Sequence, residues 1–195
     1  MLYFFSKRIF DILFSVSILI IFSPILLLSS IIIFVQDGKS IIFKQKRIGK
    51  NGKIFDFYKL RSMSVGTPNV ESTSDNKIKI TSFGKILRRT NLDEFPQFFN
   101  VLKGDMSVIG PRPPIISQKN LIELRKKNNS LTLKPGLTGW AQVNAYNDMS
   151  EEEKAYFEKQ CDYVLNLWER KELHPKIFGK SKSLGEGTIT IQALK

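Results

Sequence analysis

The chain has 195 residues, a length within the usual range for one globular domain with one packed core, to which a membrane element can be added. Its 30 Lys and Arg residues against 18 Asp and Glu give a formal net charge of +12, which favours polyanions, phosphates or an anionic membrane surface as partners. The single cysteine, Cys161, excludes an internal disulfide framework, and with the single histidine it leaves no cluster of soft ligands for zinc or an iron–sulfur centre.

The first long segment, residues 12–35, reads "ILFSVSILIIFSPILLLSSIIIFV" and carries no charged residue. A helix of this length extends about 36 Å, which is enough to cross a bilayer. Basic residues flank the segment on both sides, whereas a spanning helix normally has its basic loop on the cytoplasmic side alone. We therefore expect both ends of the segment to face the cytoplasm.

A Ser23-Pro24 pair lies in the middle of this segment. Proline removes one helical hydrogen bond and bends the axis, while nearby hydroxyl groups can satisfy the freed carbonyl. The pair predicts a re-entrant helix-break-helix hairpin, with arms of about 18 Å that enter one leaflet and return. A kinked helix that spans the bilayer is the alternative. We accordingly divide the chain into a membrane hairpin, residues 1–36, and a cytosolic catalytic domain with interfacial helices, residues 37–195.

The predicted cytosolic domain begins with a β-hairpin signal. Residues 41–63 contain Asn51-Gly52 between two runs rich in β-branched and aromatic residues, and Lys59 and Arg61 fall on the second run. Residues 37–61 hold eight Lys and Arg against two acids, a bias suited to the head-group zone of a membrane. A solvated basic hairpin explains the same bias equally well.

The remaining pattern predicts short helices joined by loops. Residues 64–80 are polar and aperiodic, which is typical of a mobile loop. Residues 81–90 predict an amphipathic helix behind a Thr81-Ser82 cap, and Phe95, Phe98, Phe99 and Leu102 form the apolar stripe of another helix, which lies either in the core or in the membrane interface. Polar residues 119–128 and an acid-led segment from residue 150 predict two more helices. The expected class is α+β, with a small β-hairpin or sheet and several short amphipathic helices.

Two neighbouring acids, Asp93 and Glu94, stand out in this basic chain. If Asp93 is the N-cap of the Phe-rich helix, Glu94 and Pro96 occupy its first turn, where the helix dipole favours anions, and both carboxylates should be ionised at neutral pH. An ionised carboxylate can attack phosphorus, and its neighbour can hold a hard divalent cation that neutralises a diphosphate. The alternative is that Asp93 is only a cap and Glu94 only a first-turn acid.

Three cationic residues could hold the phosphates of such a substrate: Lys59 on the predicted hairpin, Arg88 just before the acids, and Arg112 on the stiff Gly-Pro-Arg-Pro-Pro segment. This assignment rests on residue type and on position relative to the acid pair.

Three stretches follow the apolar segment in order: "FKQKRIGKNGKIFDFYKLRSM", "LDEFPQFFNVLKGDMSVIGPRPP" and "LKPGLTGWAQVN". Together they closely resemble the bacterial sugar transferase family, whose small members are monotopic polyprenol-phosphate phosphoglycosyl transferases. The likeness covers most of residues 1–145. The combination of Asp-Glu-Phe-Pro-Gln with Gly-Pro-Arg-Pro is highly specific.

The resemblance implies a transferase that moves a sugar-1-phosphate from a UDP-sugar to polyprenol (undecaprenol) phosphate and releases UMP, which initiates the assembly of a polysaccharide or glycoconjugate. It implies Asp93 as the nucleophile of an aspartyl-phosphosugar intermediate and Glu94 as its partner, with Mg²⁺ held by the two carboxylates.

The resemblance further implies that Lys59, Arg88 and Arg112 bind phosphates and that the Ser23-Pro24 pair is the family's re-entrant break. The expected location is the cytoplasmic face of the bacterial inner membrane. The expected partners are the UDP-sugar, the polyprenol phosphate and membrane lipid, without nucleic acid.

The chain departs from the family pattern in two places. Ala145-Tyr146 stand where the family often has Gly-Arg, and residues 167–195 do not align with the usual acidic-aliphatic helix. The sugar, the glycan pathway, the oligomeric state and the C-terminal fold are therefore open.

Two other classes of function compete with this interpretation. A membrane-tethered basic module could bind anionic lipid or nucleic acid without catalysis. A Mg²⁺-dependent phosphatase or nuclease could also use paired acids, although two-metal sites usually need more carboxylates than are clustered here.

Overall fold

The computed structural model describes residues 2–38, 40–64, 80–143 and 150–156, all of which belong to one unit, Met1–Asp162. The predicted loop at 64–80 lies almost entirely outside the described residues. The described residues also exclude Ala145-Tyr146, where the chain departs from the family pattern. They exclude most of the predicted helix from residue 150 and all of residues 167–195.

Helices and two small sheets alternate along the described chain, which confirms the α+β class. In chain order the elements are α1 (Leu2–Asp37), β1 (Ile42–Ile48), β2 (Ile54–Leu60), α2 (Ser82–Arg89), α3 (Gln97–Lys103), β3 (Ser107–Ile109), α4 (Lys119–Lys127), β4 (Gly136–Thr138), α5 (Trp140–Val143) and α6 (151–156). Short 3₁₀ turns occupy Lys50–Gly52, Leu92–Glu94 and Ser130–Thr132. The division at residue 36 stays a prediction, and α1 ends one residue beyond it.

The N-terminal element α1 is one helix of 36 residues with Pro24 inside it. Pro24 has no N–H with which to bond the Ile20 carbonyl, and the Ser23 hydroxyl donates to that carbonyl instead, at 2.8 Å. Because the freed acceptor is satisfied locally, helical structure continues through the Ser23-Pro24 pair. The prediction of two separate helical arms is therefore wrong, whereas the prediction that a nearby hydroxyl serves the freed carbonyl is confirmed.

The apolar side chains of α1 are largely exposed, and the stretch Phe5–Gln36 is long and apolar enough to cross a membrane. Those at least half exposed are Phe5, Phe10, Leu13, Ile20, Ile21, Leu27, Leu28, Ile31 and Val35. Such a continuous apolar surface is unusual for a protein surrounded by water alone.

The beginning of α1 is fastened to the rest of the unit by buried polar contacts. Asp11, which is 3% exposed, accepts hydrogen bonds from the Ser107 hydroxyl at 2.8 Å and from the Val108 N–H at 3.0 Å. Arg8 donates to two carbonyl groups in the last turn of α3, at 2.6 and 2.9 Å. These contacts attach α1 to β3 and α3 near its first turns.

The predicted aromatic stripe packs against α1. Phe95 lies 4.7 Å from Phe22 and Phe98 lies 6.2 Å from Phe14, measured between ring centroids. Phe99 is half exposed. Phe95 and Phe98 therefore form an internal contact with α1, whereas Phe99 lies at the surface.

The hairpin of β1 and β2 is confirmed. The strands pair antiparallel, with Ile42 opposite Leu60 at one end of the ladder and Ile48 opposite Ile54 at the other. The connection places both Asn51 and Gly52 at positive φ, 55° and 79°, which these two residue types tolerate best. Lys59 lies on β2 as predicted, and Arg61 follows the end of the strand.

The two faces of the hairpin bury different apolar clusters, because successive side chains of a strand point to opposite faces. Leu60 packs with Ile33 of α1 and Leu87 of α2. The cluster on the other face is Phe55, Phe57, Val101, Met106 and Val108. Helix α2 begins as predicted, since the Thr81 hydroxyl caps it by accepting from the Gly84 N–H at 2.9 Å.

Candidate active site

Strand β2 carries Lys59, and a buried asparagine positions the strand. The Asn100 side chain donates to the Asp56 carbonyl at 2.6 Å and accepts from the Tyr58 N–H at 3.2 Å, so it completes the free edge of β2. Asn100 itself is fully buried. The strand edge is thereby fixed to α3 directly beside the residue whose ammonium group reaches the acid pair.

The acid pair lies in the 3₁₀ turn Leu92–Glu94, and the prediction that Asp93 caps the Phe-rich helix is wrong. Asn91 enters the turn at φ 55°, and the next N–H groups bond carbonyls three residues back, as in Glu94 to Asn91. Helix α3 begins only at Gln97, with Pro96 at its N-cap position. Asp93 and Glu94 therefore precede α3 and do not cap it.

Arg112 lies on a segment whose first residue, Gly110, packs closely against Gly136 of β4. Strands β3 and β4 pair in parallel, and the Gly136 N–H donates to the Pro111 carbonyl at 2.9 Å. A Cβ on Gly136 would lie 2.6 Å from the Cα of Gly110, so only glycine permits this backbone approach. The approach fixes the beginning of the Gly-Pro-Arg-Pro-Pro segment.

The end of the same segment is tied to β1. The Arg47 guanidinium donates to the Pro113 carbonyl at 2.9 Å and lies 5.0 Å from the Phe57 ring centroid. The Ile48 N–H donates to the Pro114 carbonyl at 3.0 Å. Arg112 is therefore held on a segment fixed at both ends, and Arg47 is occupied in holding it rather than free for a head group.

Glu94 is contacted both by Lys59, which precedes it in the sequence, and by Arg112, which follows it. The Lys59 ammonium lies 2.6 Å and the Arg112 guanidinium 3.1 Å from Glu94 Oε1, and the same ammonium lies 3.8 Å from Asp93 Oδ2. Asp93 is 5% exposed. The two acids and two of the three predicted cations thus form one cluster.

Arg88 contributes by charge and not by direct contact. Its Nε donates to the Ser62 hydroxyl at 2.9 Å, and within the described residues it forms no ion pair with either acid. Its positive charge nevertheless acts to lower the pKa of Asp93. The structure therefore places the third predicted cation at the margin of the cluster.

The pKa values of the two acids move in opposite directions. Burial raises the pKa of Asp93, and Lys59 and Arg88 offset this only in part. Burial alone would also raise the pKa of Glu94, but the Lys59 and Arg112 charges and hydrogen bonds outweigh it and lower the value to about 2. The dominant influence is therefore burial for Asp93 and pairing with cations for Glu94.

Two buried polar side chains on α3 were not singled out by the sequence pattern. Gln97 is 1% exposed, and its Nε2 has no hydrogen-bond partner among the described residues. Asn100 secures β2. The sequence contained a signal for them, because Gln97 and Asn100 are spaced i and i+3 on a mainly apolar helix. Polar residues with that spacing face the core and are expected to form hydrogen bonds there.

A divalent cation would have two carboxylates available here. The described residues contain no group of three or more His, Cys, Asp or Glu side chains able to hold a metal by themselves. Mg²⁺ commonly binds through one or two carboxylates and completes its shell with water and substrate phosphates. Asp93 and Glu94 fit that second kind of site, because both cationic contacts of Glu94 use a single oxygen, Oε1.

Comparison with known proteins shows a family likeness over most of the chain. The family model described as bacterial sugar transferase matches residues 2–173. An uncharacterized sugar transferase of Bacillus subtilis is 37% identical over 160 residues, which cover 82% of this chain and 78% of that protein.

Two further relatives have names that state a reaction. The undecaprenyl-phosphate galactose phosphotransferase of Salmonella typhimurium is 40% identical over 183 residues, covering 84% of this chain and 38% of that protein. The UDP-glucose:undecaprenyl-phosphate glucose-1-phosphate transferase of Klebsiella pneumoniae is 42% identical over 168 residues, covering 82% of this chain and 35% of that protein. The chain thus matches well under half the length of these two proteins.

Proposed function

We propose that this chain, which belongs to the bacterial sugar transferase family, transfers a sugar-1-phosphate from a UDP-sugar to polyprenol phosphate and releases UMP. The names of the Salmonella and Klebsiella relatives, which specify undecaprenyl phosphate and a sugar phosphate, support this reaction class. It would initiate the assembly of a glycan on its lipid carrier.

The observation that carries the proposal is the buried carboxylate of Asp93 beside the Lys59 ammonium, 3.8 Å away. A carboxylate removed from water loses part of the hydration that would blunt its attack on phosphorus. The neighbouring cations can bind the phosphate oxygens that the donor brings. A basic module that only bound lipid would gain nothing from burying this acid.

Asp93 acts as the nucleophile in this proposal. One of its oxygens attacks the phosphorus that bears the sugar, and the bond from that phosphorus to the UMP oxygen breaks, with the electron pair leaving on UMP. A phosphate oxygen of polyprenol phosphate then attacks the same phosphorus. The bond to Asp93 breaks, which restores the carboxylate.

The surrounding residues divide the remaining tasks. Glu94 keeps its negative charge because its pKa is lowered to about 2, so it can hold Lys59 and Arg112 in place until the donor's phosphates compete for them. A Mg²⁺ ion bound by Asp93 and Glu94 would supply neutralisation of the diphosphate charge. Arg88 adds positive potential at the margin of the site.

The location that we propose is the cytoplasmic face of the inner membrane, with α1 bent at Pro24 so that it stays in one leaflet and both of its ends lie on the same side. Contacts at the two ends of α1 support this topology. Arg8 and Asp11 bind α3 and β3, while Ile33 packs against Leu60 of β2, so both ends are attached to the same unit. The exposed apolar side chains between these contacts provide the surface that lipid would cover.

The experiment is an incubation of the purified chain with Mg²⁺, polyprenol phosphate and a panel of UDP-sugars, with UMP as the readout. We expect continued UMP release with one or a few sugars only when polyprenol phosphate is present, and without it no more than about one UMP per protein molecule, because the intermediate on Asp93 then cannot turn over. Release of inorganic phosphate would instead indicate a phosphatase. Nucleic acid is not expected to bind, and a mobility shift with RNA or DNA at physiological salt would contradict that expectation.

A further inference from the structure

A second concave site lies apart from the acid pair. An open cavity of about 440 Å³ lies between the second half of α1, the hairpin and α3, and its size is within the range of ligand sites. Its lining is mostly apolar, with two lysines and a tyrosine among the polar side chains.

The hairpin wall of this cavity changes from apolar to cationic along the strand. Ile42 pairs with Leu60, and the next pair on the same face is Lys44 with Tyr58. Residues two positions apart on a strand are separated by roughly 7 Å. Leu60 packs against Ile33 of α1, so the apolar end is the end beside the apolar helix.

The cationic end gathers two ammonium groups around one phenol. Lys103 Nζ lies 2.6 Å from the Tyr58 hydroxyl oxygen and 4.6 Å from the Tyr58 ring centroid, and Lys44 Nζ lies 5.8 Å from the same centroid. Within the described residues neither lysine forms an ion pair with a carboxylate. Two ammonium groups beside a hydroxyl are suited to a phosphate group.

The apolar end is formed in part by α1 itself. Leu26 and Ser30, one helical turn apart, both line the cavity. The Ser30 hydroxyl donates to the Leu26 carbonyl at 2.7 Å, so its hydrogen is already used within the helix. Together with Leu60, this part of α1 offers an apolar surface for a hydrocarbon chain, on the helix that carries the exposed apolar side chains.

We propose that this cavity binds one membrane phospholipid with an anionic head group. Its phosphate contacts Lys44, Lys103 and the Tyr58 hydroxyl, and one acyl chain lies along Leu26 and Leu60. The order of apolar and cationic groups in the cavity matches the order of chain and phosphate in such a lipid. The lipid would fasten the hairpin and α3 to the bilayer beside the catalytic cluster.

The strand geometry distinguishes this lipid from the polyprenol phosphate of the proposed reaction. Tyr58 and Lys59 are adjacent on β2 and therefore point to opposite faces of the hairpin. Lys59 reaches Asp93 and Glu94, whereas Tyr58 faces the cavity. A phosphate bound at Tyr58 is on the wrong face to reach Asp93.

The test is native mass spectrometry of the full chain in detergent, titrated with phosphatidylglycerol or phosphatidylcholine. We expect one phosphatidylglycerol to be retained in preference to phosphatidylcholine. The variant K44Q/K103Q should lower its retention on the order of tenfold, because two charge-assisted contacts are removed. The matched variant K50Q/K53Q, which removes two exposed charges from the hairpin turn, should retain the lipid as the unaltered chain does.

Two further measurements complete the test, one with a variant of the apolar end and one with a competing lipid. Ser30→Leu fills the apolar end without changing charge and should also lower retention. Equimolar polyprenol phosphate should leave the phosphatidylglycerol bound. Equal retention by K44Q/K103Q and the unaltered chain, or displacement by polyprenol phosphate, would overturn the proposal. Because the readout is lipid binding, either failure would leave the proposed transfer reaction standing.

Discussion

Asp93 and Glu94 follow one another in the chain but have opposite electrostatic surroundings. Glu94 receives both close cationic contacts, from Lys59 at 2.6 Å and Arg112 at 3.1 Å, while Asp93 is the more buried of the two. One carboxylate is thus held as a stable anion, and the other is kept out of water with the Lys59 ammonium farther away, at 3.8 Å. We therefore expect Glu94 to hold the cations and Asp93 to act as the nucleophile, and the first two predictions test these roles.

Replacing Asp93 with asparagine should abolish transfer without unfolding the chain. We expect UMP release to fall at least about 10³-fold, since the nucleophile is lost. Burial raises the pKa of Asp93, so the charged carboxylate lowers the stability of the folded state relative to the unfolded state at neutral pH, and D93N should unfold at the same or a higher temperature.

The stability difference between D93N and the unaltered chain should disappear as the pH falls below the ordinary pKa of 3.8, where Asp93 is protonated in both the folded and unfolded states. Thermal melts across this pH range and a UMP assay measure both effects. Substantial turnover by D93N, or turnover without a phosphosugar adduct on Asp93 in intact-mass analysis, would contradict the nucleophile assignment.

Replacing Glu94 with glutamine should reduce stability as well as activity. The pKa of Glu94 is lowered to about 2, so its stabilising contribution is complete above the ordinary value of 4.5 and is lost as the pH falls toward 2. At neutral pH we expect E94Q to lower the free energy of unfolding by roughly 1.5–3 kcal/mol, the usual range for hydrogen bonds to charged groups.

Denaturant unfolding at several pH values tests this prediction for Glu94. The difference between E94Q and the unaltered chain should shrink between pH 4.5 and 2. The exposed Glu152 offers a matched control, and E152Q should show little difference at any pH. A constant difference for E94Q across the acidic range would show that the ion pairs with Lys59 and Arg112 are not its source.

Adding one methyl group at Gly136 should displace the segment that carries Arg112. The new Cβ of Gly136→Ala would overlap the backbone of Gly110, which has no flexible side chain to move. We expect a loss of about 2 kcal/mol or more in the free energy of unfolding. Weaker donor binding, seen as a raised KM for the UDP-sugar, should accompany it.

Gly38 provides the comparison for that substitution. An added Cβ there meets nothing within 4 Å, but the backbone has φ +81°, so Gly38→Ala tests strain without a clash. Its cost should be about 1 kcal/mol, with KM unchanged. Equal effects at the two glycines on both stability and KM would argue against the close approach of Gly110 and Gly136 as the reason for the first result.

Replacing Pro24 with leucine tests the proposed topology of α1. Leucine restores the N–H that can bond the Ile20 carbonyl, so the axis loses the bend that proline favours and a spanning orientation becomes more accessible. In a background in which Cys161 is replaced by serine, a cysteine introduced at Ser6 should resist a membrane-impermeant thiol reagent in intact cells. Labelling should rise when Pro24→Leu is added.

Permeabilised cells provide the control for this labelling, because the introduced cysteine should react in both versions once the membrane is open. Efficient labelling of intact cells with Pro24 present would place the N-terminus outside and contradict the one-sided topology that we propose.

Local chemistry in the sequence was sufficient for several elements. Asn51-Gly52 specified the hairpin, because both residues accept positive φ. Thr81 specified the start of α2 through its own hydroxyl. These signals act within a few residues, so no distant partner is needed to interpret them. The apolar helix was equally evident from composition, and the motifs around Asp93 and Arg112 identified the family.

Only the tertiary structure decided how these elements meet. Lys59 and Arg112 lie 35 and 18 positions from Glu94 along the chain, and no local rule predicts that both contact the same oxygen. Nor could spacing show that the 3₁₀ turn removes Asp93 from the helix cap and buries it. Burial and ion pairing depend on atoms brought together by the fold, and these set the opposite pKa shifts of two adjacent carboxylates.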